Sequence, residues 1–266
     1  MFITSIIQKC FKHYRIFVTY FTYHSAWNNP FSPVFLAWYY LQKRTYQAQS
    51  FFRGITLDIG CGRKPYIDII KKKSRYIGFD YPQLVFDHKM LKKNLQPEIY
   101  GNGFYLPFKS ESVDCILNTQ VMEYINEPDN FIREMIRVLK PGGNIVMSIP
   151  FTYPIHHSSN DLFRYTQSGI TYLLKNNGLI IIWIKANGGF WITIGQLFLY
   201  FLNFKFLFRT PHDILWILFG CVRLILLPFI LIINCIINVL MLLCNIVFPE
   251  PYLTVSYSLV AQKKKK

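Results

Sequence analysis

A chain of 266 residues with 52% apolar side chains is long enough for one large α/β core with additions. Its net charge of +15 excludes a chain that is simply greasy, and the mixture of apolar and basic residues points to anionic lipid headgroups. Nucleic acid is set aside as a partner, because the lysines fall in short clusters such as Lys71 to Lys73 and Lys263 to Lys266 and form no extended basic stripe.

The six cysteines, Cys10, Cys61, Cys115, Cys221, Cys235 and Cys244, show no CxxC pair and no metal-ligand spacing. No metal site is expected, and a reducing cytosol suits them best. At the N-terminus, Lys9, Lys12, His13 and Arg15 interrupt any apolar stretch before it reaches the length of an export signal. Ile3, Ile7, Cys10, Tyr14, Phe17 and Phe21 recur instead at steps of three and four, which predicts an amphipathic helix within a region spanning 1–50. That stripe either caps the core or lies in a lipid interface.

From Ile55 to Gly60 the sequence ITLDIG reads as a short buried strand, and GCGRKP follows as a tight turn leading into a helix from about Pro65. Asp58 sits near the carboxyl end of that strand, where open parallel sheets bind ligands, and a carboxylate there can pair with the amino group of an amino-acid ligand. A second strand, RYIGFD, ends in Asp80 at the spacing where an acid accepts hydrogen bonds from ribose hydroxyls. A nicotinamide dinucleotide would ask for a similar layout, but its fingerprint needs a third glycine where this chain has Pro65.

The segment from Tyr100 to Pro150 alternates strand and helix. VDCILNT is an uninterrupted apolar strand, and PDNFIREMIRVLK is an amphipathic helix with Phe131, Met135, Val138 and Leu139 on one face. PGG then stops the helix before the strand NIVMSIP. Such alternation implies a parallel sheet.

The DxGxG turn, the ribose acid and the stretch YGNGFYLPFKSESVDCILNTQVMEYINEPDNFIREMIRVLKPGGNIVMSIPF together resemble class I methyltransferases that use S-adenosylmethionine. The likeness runs from about Gly54 to Ala186 and resumes at YLTVSYSLVAQ. It implies an α/β, Rossmann-like fold: a seven-stranded, mostly parallel sheet of order 3-2-1-4-5-7-6. On the family pattern Asp58, Gly60 and Gly62, with Cys61 between the glycines, hold the methionine end of the donor, and Asp80 holds its ribose. Asn102, with Gly103 beside it, stands where many relatives place an aspartate for the adenine amino group; an asparagine still accepts through its carbonyl oxygen. Gln120 faces the reactive methyl. In MEY, Tyr124 occupies the slot where relatives more often carry histidine, so a histidine base is excluded there.

Methyl transfer from a sulfonium needs mainly alignment and exclusion of water, and a base only for a protonated acceptor. Candidates lie in FTYPIHHSSNDLFRYTQSGI, after the fifth strand and therefore over the ligand edge of the sheet. His156 or His157 would serve as base, Asp161 would orient it, and Arg164 with Tyr165 would clamp an acidic or sugar-like acceptor. Related methyltransferases of polysaccharide and lipid pathways carry a similar stretch. The alternatives are solvated histidines and an arginine that only caps the helix starting near Thr166.

Between 187 and 250 the chain departs from a minimal enzyme. Leu224 to Phe248 is free of charge, long enough to cross a hydrocarbon core. A single span conflicts with topology, because the last strand must return to the sheet. TPHD at Thr210 to Asp213 reads as a helix start, PEP at 249–251 as its end, and a break or kink is expected near Pro228. Arg223, Asn234, Asn238 and Asn245 fall on one narrow face, which suits an in-plane or hairpin anchor whose polar stripe meets protein or water. An apolar helical subdomain packed on the core is the other reading.

The expected organisation is thus an N-terminal helical region over 1–50, a methyltransferase domain over 51–186 and 251–262, and a hydrophobic helical insertion over 187–250. The expected activity is methyl transfer from S-adenosylmethionine at a membrane surface, on its cytoplasmic side, to a small-molecule or lipid-linked acceptor: a lipid-linked glycan, polysaccharide precursor or prenyl-type lipid. A catalytically inactive scaffold of the same fold and a nicotinamide-dependent sugar-modifying enzyme are the competing expectations.

Overall fold

The computed structural model describes residues 28–82, 95–155, 160–203 and 214–265, with backbone alone for 214–225 and Leu227. The N-terminal stripe, the TPHD helix start, His156 and His157 all lie outside the described residues.

In chain order the elements are α1 (Phe35–Gln47), β1 (Ile55–Ile59), α2 (Ile67–Ile70), β2 (Arg75–Asp80), β3 (Ile99–Tyr100), β4 (Val113–Thr119), a 3-10 turn (Met122–Tyr124), α3 (Pro128–Val138), β5 (Leu139–Pro150), α4 (Gln167–Asn176), β6 (Leu179–Ala186), α5 (Phe190–Tyr200), α6 (Ile214–Val247) and β7 (Ser256–Lys263). They build one seven-stranded sheet of order β3-β2-β1-β4-β5-β7-β6. All pairings are parallel except those of β7, which runs antiparallel to both β5 and β6. This is the Rossmann-like order expected above.

The chain divides into two compact units. The larger comprises Leu41–Asn187 and the residues from Ser256 onward. Its apolar core takes Leu57 and Ile59 from β1, Ile116 from β4, Ile145 and Met147 from β5, and Leu259 from β7, covered by Phe131, Ile132, Met135 and Val138 of α3. Those four α3 side chains recur at helical spacing and are at most 1% exposed, and each contributes roughly 1.5–3 kcal/mol by leaving water. Pro128 opens α3 at a position where its missing N–H costs nothing.

Two boundaries differ from the expected ones. The helix α3 stops at Val138 and Leu139 already pairs with Val113, so the LKPGG segment joins β5 through an irregular register. Strand pairing satisfies backbone groups that another helical turn would have left facing a proline. The helix expected from Pro65 shrinks to the single turn Ile67–Ile70, because Lys71 to Ser74 must descend at once into β2.

The other unit joins residues 28–40 to Gly188–Val255. Here α6 runs as one helix of 34 residues straight through Pro228, so the expected break is absent. One lost backbone bond is tolerated within so long an apolar helix. Its polar stripe meets protein: the Asn234 amide donates to Phe31 O (3.2 Å) and exchanges hydrogen bonds with Asn203. Asn238 donates to Pro30 O (2.6 Å) and Ser32 O (2.9 Å), and Asn245 accepts from Gly189 N (3.1 Å) while donating to the Tyr40 hydroxyl (3.1 Å). Gln196 of α5 is also buried, accepting from Ala37 N and donating to Pro33 O. On the other side Phe229, Ile232, Ile236, Leu240, Leu243 and Ile246 are exposed at steps of three and four. Only 17% of the Pro228–Val247 stretch is buried, which is not the environment of a soluble core helix.

Candidate active site

The site grows from the carboxyl ends of β1, β2, β3 and β4, where loops leave an open parallel sheet. Asp58 pairs in register with Gly78, so Asp80, two residues further along β2, points to the same face of the sheet as Asp58. The turn after β1 folds back on β2: Gly60 N and Cys61 N both donate to Phe79 O, at 2.9 and 3.2 Å. Gly62 N donates to Asp80 Oδ2 at 2.8 Å, and Tyr81 N donates to Asp80 Oδ1 at 2.7 Å. The two acids are thus brought to one edge and one face of the sheet, Asp80 with its carboxylate anchored on backbone amides.

Gly60 and Gly62 both take the left-handed backbone, with φ of 76° and 50°. They do so for different reasons. A Cβ on Gly60 would lie 2.3 Å from Val121, so this glycine lets the segment after β4 close against the turn. A Cβ on Gly62 would meet nothing within 4 Å, so that glycine faces open space.

Asp58 is fully buried; its Oδ2 accepts from the Tyr76 hydroxyl at 2.7 Å, and its Oδ1 has no hydrogen-bond partner. Burial pushes its pKa up to about 7, against the Tyr76 hydrogen bond, with Asp80 pushing the same way and Lys64 opposing. A buried carboxylate oxygen without a donor is costly unless a ligand supplies one. A cationic amino group is such a donor, so Asp58 together with the open face of Gly62 fits the amino-acid end of S-adenosylmethionine.

The other expected site residues fall into two sets. Asn102 is exposed just beyond β3, its Oδ1 accepting from Phe104 N (3.0 Å) in a local turn, while Gly101 N donates to Asp80 O, which keeps this loop beside β2. Gly103 serves packing, since a Cβ there would strike Phe131 at 2.6 Å. Cys61 is buried, and burial pushes its thiol far above the ordinary range, so it packs. Gln120 adopts φ 54°, its backbone N–H donating to Ser148 O and its side-chain amide to Ser148 Oγ (3.1 Å). A non-glycine residue held left-handed at a strand end is a strained position of the kind found at ligand sites.

After β5, Asp161 and Arg164 form a two-pronged ion pair, the second prong 2.7 Å, with the Asp161 side chain fully buried. Arg164 also donates to Tyr153 O and Phe163 O, so its fork is occupied by its own loop. The helix α4 is capped by Thr166, whose Oγ1 accepts from Gly169 N, and not by Arg164. The Tyr165 hydroxyl is buried without a partner, and burial pushes its pKa up to about 12.

Two residues stand out that sequence reasoning did not single out. Glu123, in the 3-10 turn after β4, is fully buried with neither carboxylate oxygen hydrogen-bonded, while its backbone carbonyl accepts from Leu162 N and Phe163 N. Burial raises its pKa to about 7; Arg164 opposes and Asp161 adds to the rise. The Glu of MEY was visible in the sequence, but only the fold shows that it sits under the Asp161–Arg164 loop. Lys64, at φ 53°, is buried and paired with Glu98. Among the described residues, no cluster of His, Cys, Asp and Glu is arranged to hold a metal ion.

Residues 57–147 match the family model described as Methyltransferase domain. Over 95 residues the chain is 35% identical to a probable S-adenosylmethionine-dependent methyltransferase of Mycolicibacterium smegmatis, covering 35% of this chain and 37% of that protein. Over 100 residues it is 34% identical to a demethylmenaquinone methyltransferase of Renibacterium salmoninarum, covering 36% and 38%. The chain therefore spans less than two fifths of these relatives' length. Among solved structures, a SAM-dependent methyltransferase from Archaeoglobus fulgidus superposes with a TM-score of 0.53 at 14% identity, over 84% of this chain and 93% of that one. Another from Thermotoga maritima, described as a possible histamine N-methyltransferase, gives 0.51 at 14% identity over 94% and 100%. By sequence, residues 57–147 are a methyltransferase domain, and the sheet has the fold of class I S-adenosylmethionine-dependent methyltransferases.

Proposed function

We propose that this protein transfers a methyl group from S-adenosylmethionine to a lipid-linked glycan, a polysaccharide precursor or a prenyl-type lipid at the cytoplasmic face of a membrane. The observation that carries the donor side is the unpartnered, buried Oδ1 of Asp58 beside the open face of Gly62. Asp58 would receive the donor's α-ammonium, Asp80 the ribose through the lone pairs its backbone contacts leave free, and Asn102 the adenine edge. The bound donor supplies an activated methyl on sulfur, so the chain's own work is to align the acceptor and exclude water. For a hydroxyl acceptor the buried Glu123, near neutral in its titration, is the proton acceptor; His156 and His157 remain candidates for the same role, and Tyr165 for orienting the acceptor.

The membrane side rests on α6. The amide groups of Asn234, Asn238 and Asn245 donate to residues 28–40, and the exposed remainder is an aliphatic and aromatic face that suits insertion into one leaflet. A demethylmenaquinone methyltransferase among the relatives favours a prenyl-type lipid acceptor.

Calorimetry of the full chain with S-adenosylhomocysteine tests the donor side. Saturable binding is expected, and its absence at millimolar ligand favours the inactive scaffold. Flotation with phosphatidylcholine vesicles containing phosphatidylglycerol tests the lipid side: the protein should rise with the vesicles, and Phe229→Asp with Ile236→Asp should leave it at the bottom.

A further inference from the structure

Lys64 occupies the fifth position of the GCGRK turn, with a left-handed backbone that side-chain-bearing residues adopt only at a cost. Its side chain does not reach for water. It is 1% exposed, its Nζ lies 2.6 Å from Glu98 Oε1, and the ammonium stands 5.7 Å from the centre of the Tyr76 ring, whose hydroxyl donates to Asp58. The other Glu98 oxygen accepts from Gly78 N at 2.6 Å. Room for this arrangement exists because residue 78 has no side chain: a Cβ there would lie 2.9 Å from Glu98 Oε2, 2.9 Å from Cys61 Sγ and 3.0 Å from Lys64 Cε.

An exposed lysine could make the same pair with Glu98, which is itself 45% exposed, without the desolvation cost of burying an ammonium. Burial of Lys64 therefore calls for a second beneficiary. The groups facing Asp58 are Tyr76 and Asp80 on β2, Glu98 ahead of β3, and Cys61, Lys64 and Tyr66 from the turn. Among these described groups Lys64 is the single cation against the charges of Asp58, Asp80 and Glu98.

We propose that Lys64 is a donor-positioning residue: its buried ammonium favours the charged form of Asp58, so that the donor's α-ammonium meets a negative charge in a turn already set. This rests on the donor reading given under Proposed function. The rise of the Asp58 pKa by burial, opposed by Lys64, supplies the mechanism. Removing the cation lets Asp58 hold its proton to higher pH, and a protonated carboxyl no longer attracts an ammonium.

The test is calorimetric titration of the full chain with S-adenosylhomocysteine between about pH 5.5 and about 8.5, where the probe's amino group stays protonated for most of the range. In the wild type, affinity should fall with pH below a threshold, by up to about tenfold per pH unit. Lys64→Met should move that threshold upward, with about a tenfold loss at neutral pH that recovers at the alkaline end. Glu98→Gln removes an opposing charge and should move the threshold downward, giving tighter binding than the wild type near pH 6; it carries the test alone if Lys64→Met does not fold. A Lys64→Met profile equal to the wild type, a loss equal at every pH, or weaker or unchanged binding of Glu98→Gln near pH 6 overturns the proposal. Absence of binding by the wild type at every pH overturns the donor reading itself, and this inference with it.

Discussion

The backbone N–H of Gly62 donates to the Asp80 carboxylate at 2.8 Å, which ties the turn after β1 to the end of β2. Asp80→Ala should cut S-adenosylhomocysteine affinity by more than tenfold, as ribose contact and turn anchor are lost together. It should also lower stability by about 1–3 kcal/mol, since the partly buried Gly62 N–H loses its charged acceptor. Calorimetry and urea unfolding read the two effects separately, and unchanged donor affinity would remove Asp80 from the ribose role.

Gly60 and Gly62 should respond differently to alanine. At Gly60 a left-handed backbone and a Cβ 2.3 Å from Val121 combine, so Gly60→Ala should lose at least about 2 kcal/mol. Gly62→Ala carries the backbone penalty of about 1 kcal/mol alone, but its methyl enters the open space and should weaken donor binding at least as much as Gly60→Ala does. Equal stability losses in the two variants would contradict this geometry.

The raised carboxyls of Asp58 and Glu123 give the free protein an acid-favoured stability. Both have folded pKa values of about 7, above their unfolded values, so the contribution is fully present below about pH 4 and is lost as pH rises through about 7. Asp58→Asn and Glu123→Gln should each flatten the decline of the thermal midpoint between those limits. A wild-type midpoint that climbs over the same window, with neither variant changing the slope, would contradict the burial of these groups.

Asn238 holds two carbonyls, Pro30 O and Ser32 O, through one amide. Asn238→Leu should cost about 1–3 kcal/mol because both are left without that donor. Val239→Asn, on the exposed side of the same turn, should leave stability within about 0.5 kcal/mol in detergent solution. Denaturant titration of the two variants compares them directly.

Much of this was legible in the chain. Apolar strands around ITLDIG and VDCILNT, and the 3.6-residue rhythm of Phe131, Met135 and Val138, are local signals that tertiary packing reinforced. Asp58 and Asp80 converge because each lies in the last two residues of its strand and adjacent parallel strands share their ligand edge. Lys64 escaped notice because only its torsion angle and the missing Cβ of Gly78, both long-range consequences, turn it inward. Glu123 escaped because a single carboxyl in a short 3-10 turn has no periodicity to betray its burial. The α3–β5 boundary shifted because the pairing of Leu139 with Val113, invisible locally, outcompeted a helical turn.

Asn187 donates from its backbone to Ser256 O at 2.8 Å and from its amide to the hydroxyls of Ser256 and Ser258, also at 2.8 Å. The polypeptide therefore leaves the sheet and re-enters it at nearly one point, stitched shut by a single side chain. The segment from Gly188 to Val255 thus departs after β6 and returns before β7 at neighbouring residues, and the pairing of β6 with β7 runs on without it. The ladder at this end of the sheet is therefore indifferent to how much chain lies between its last two strands.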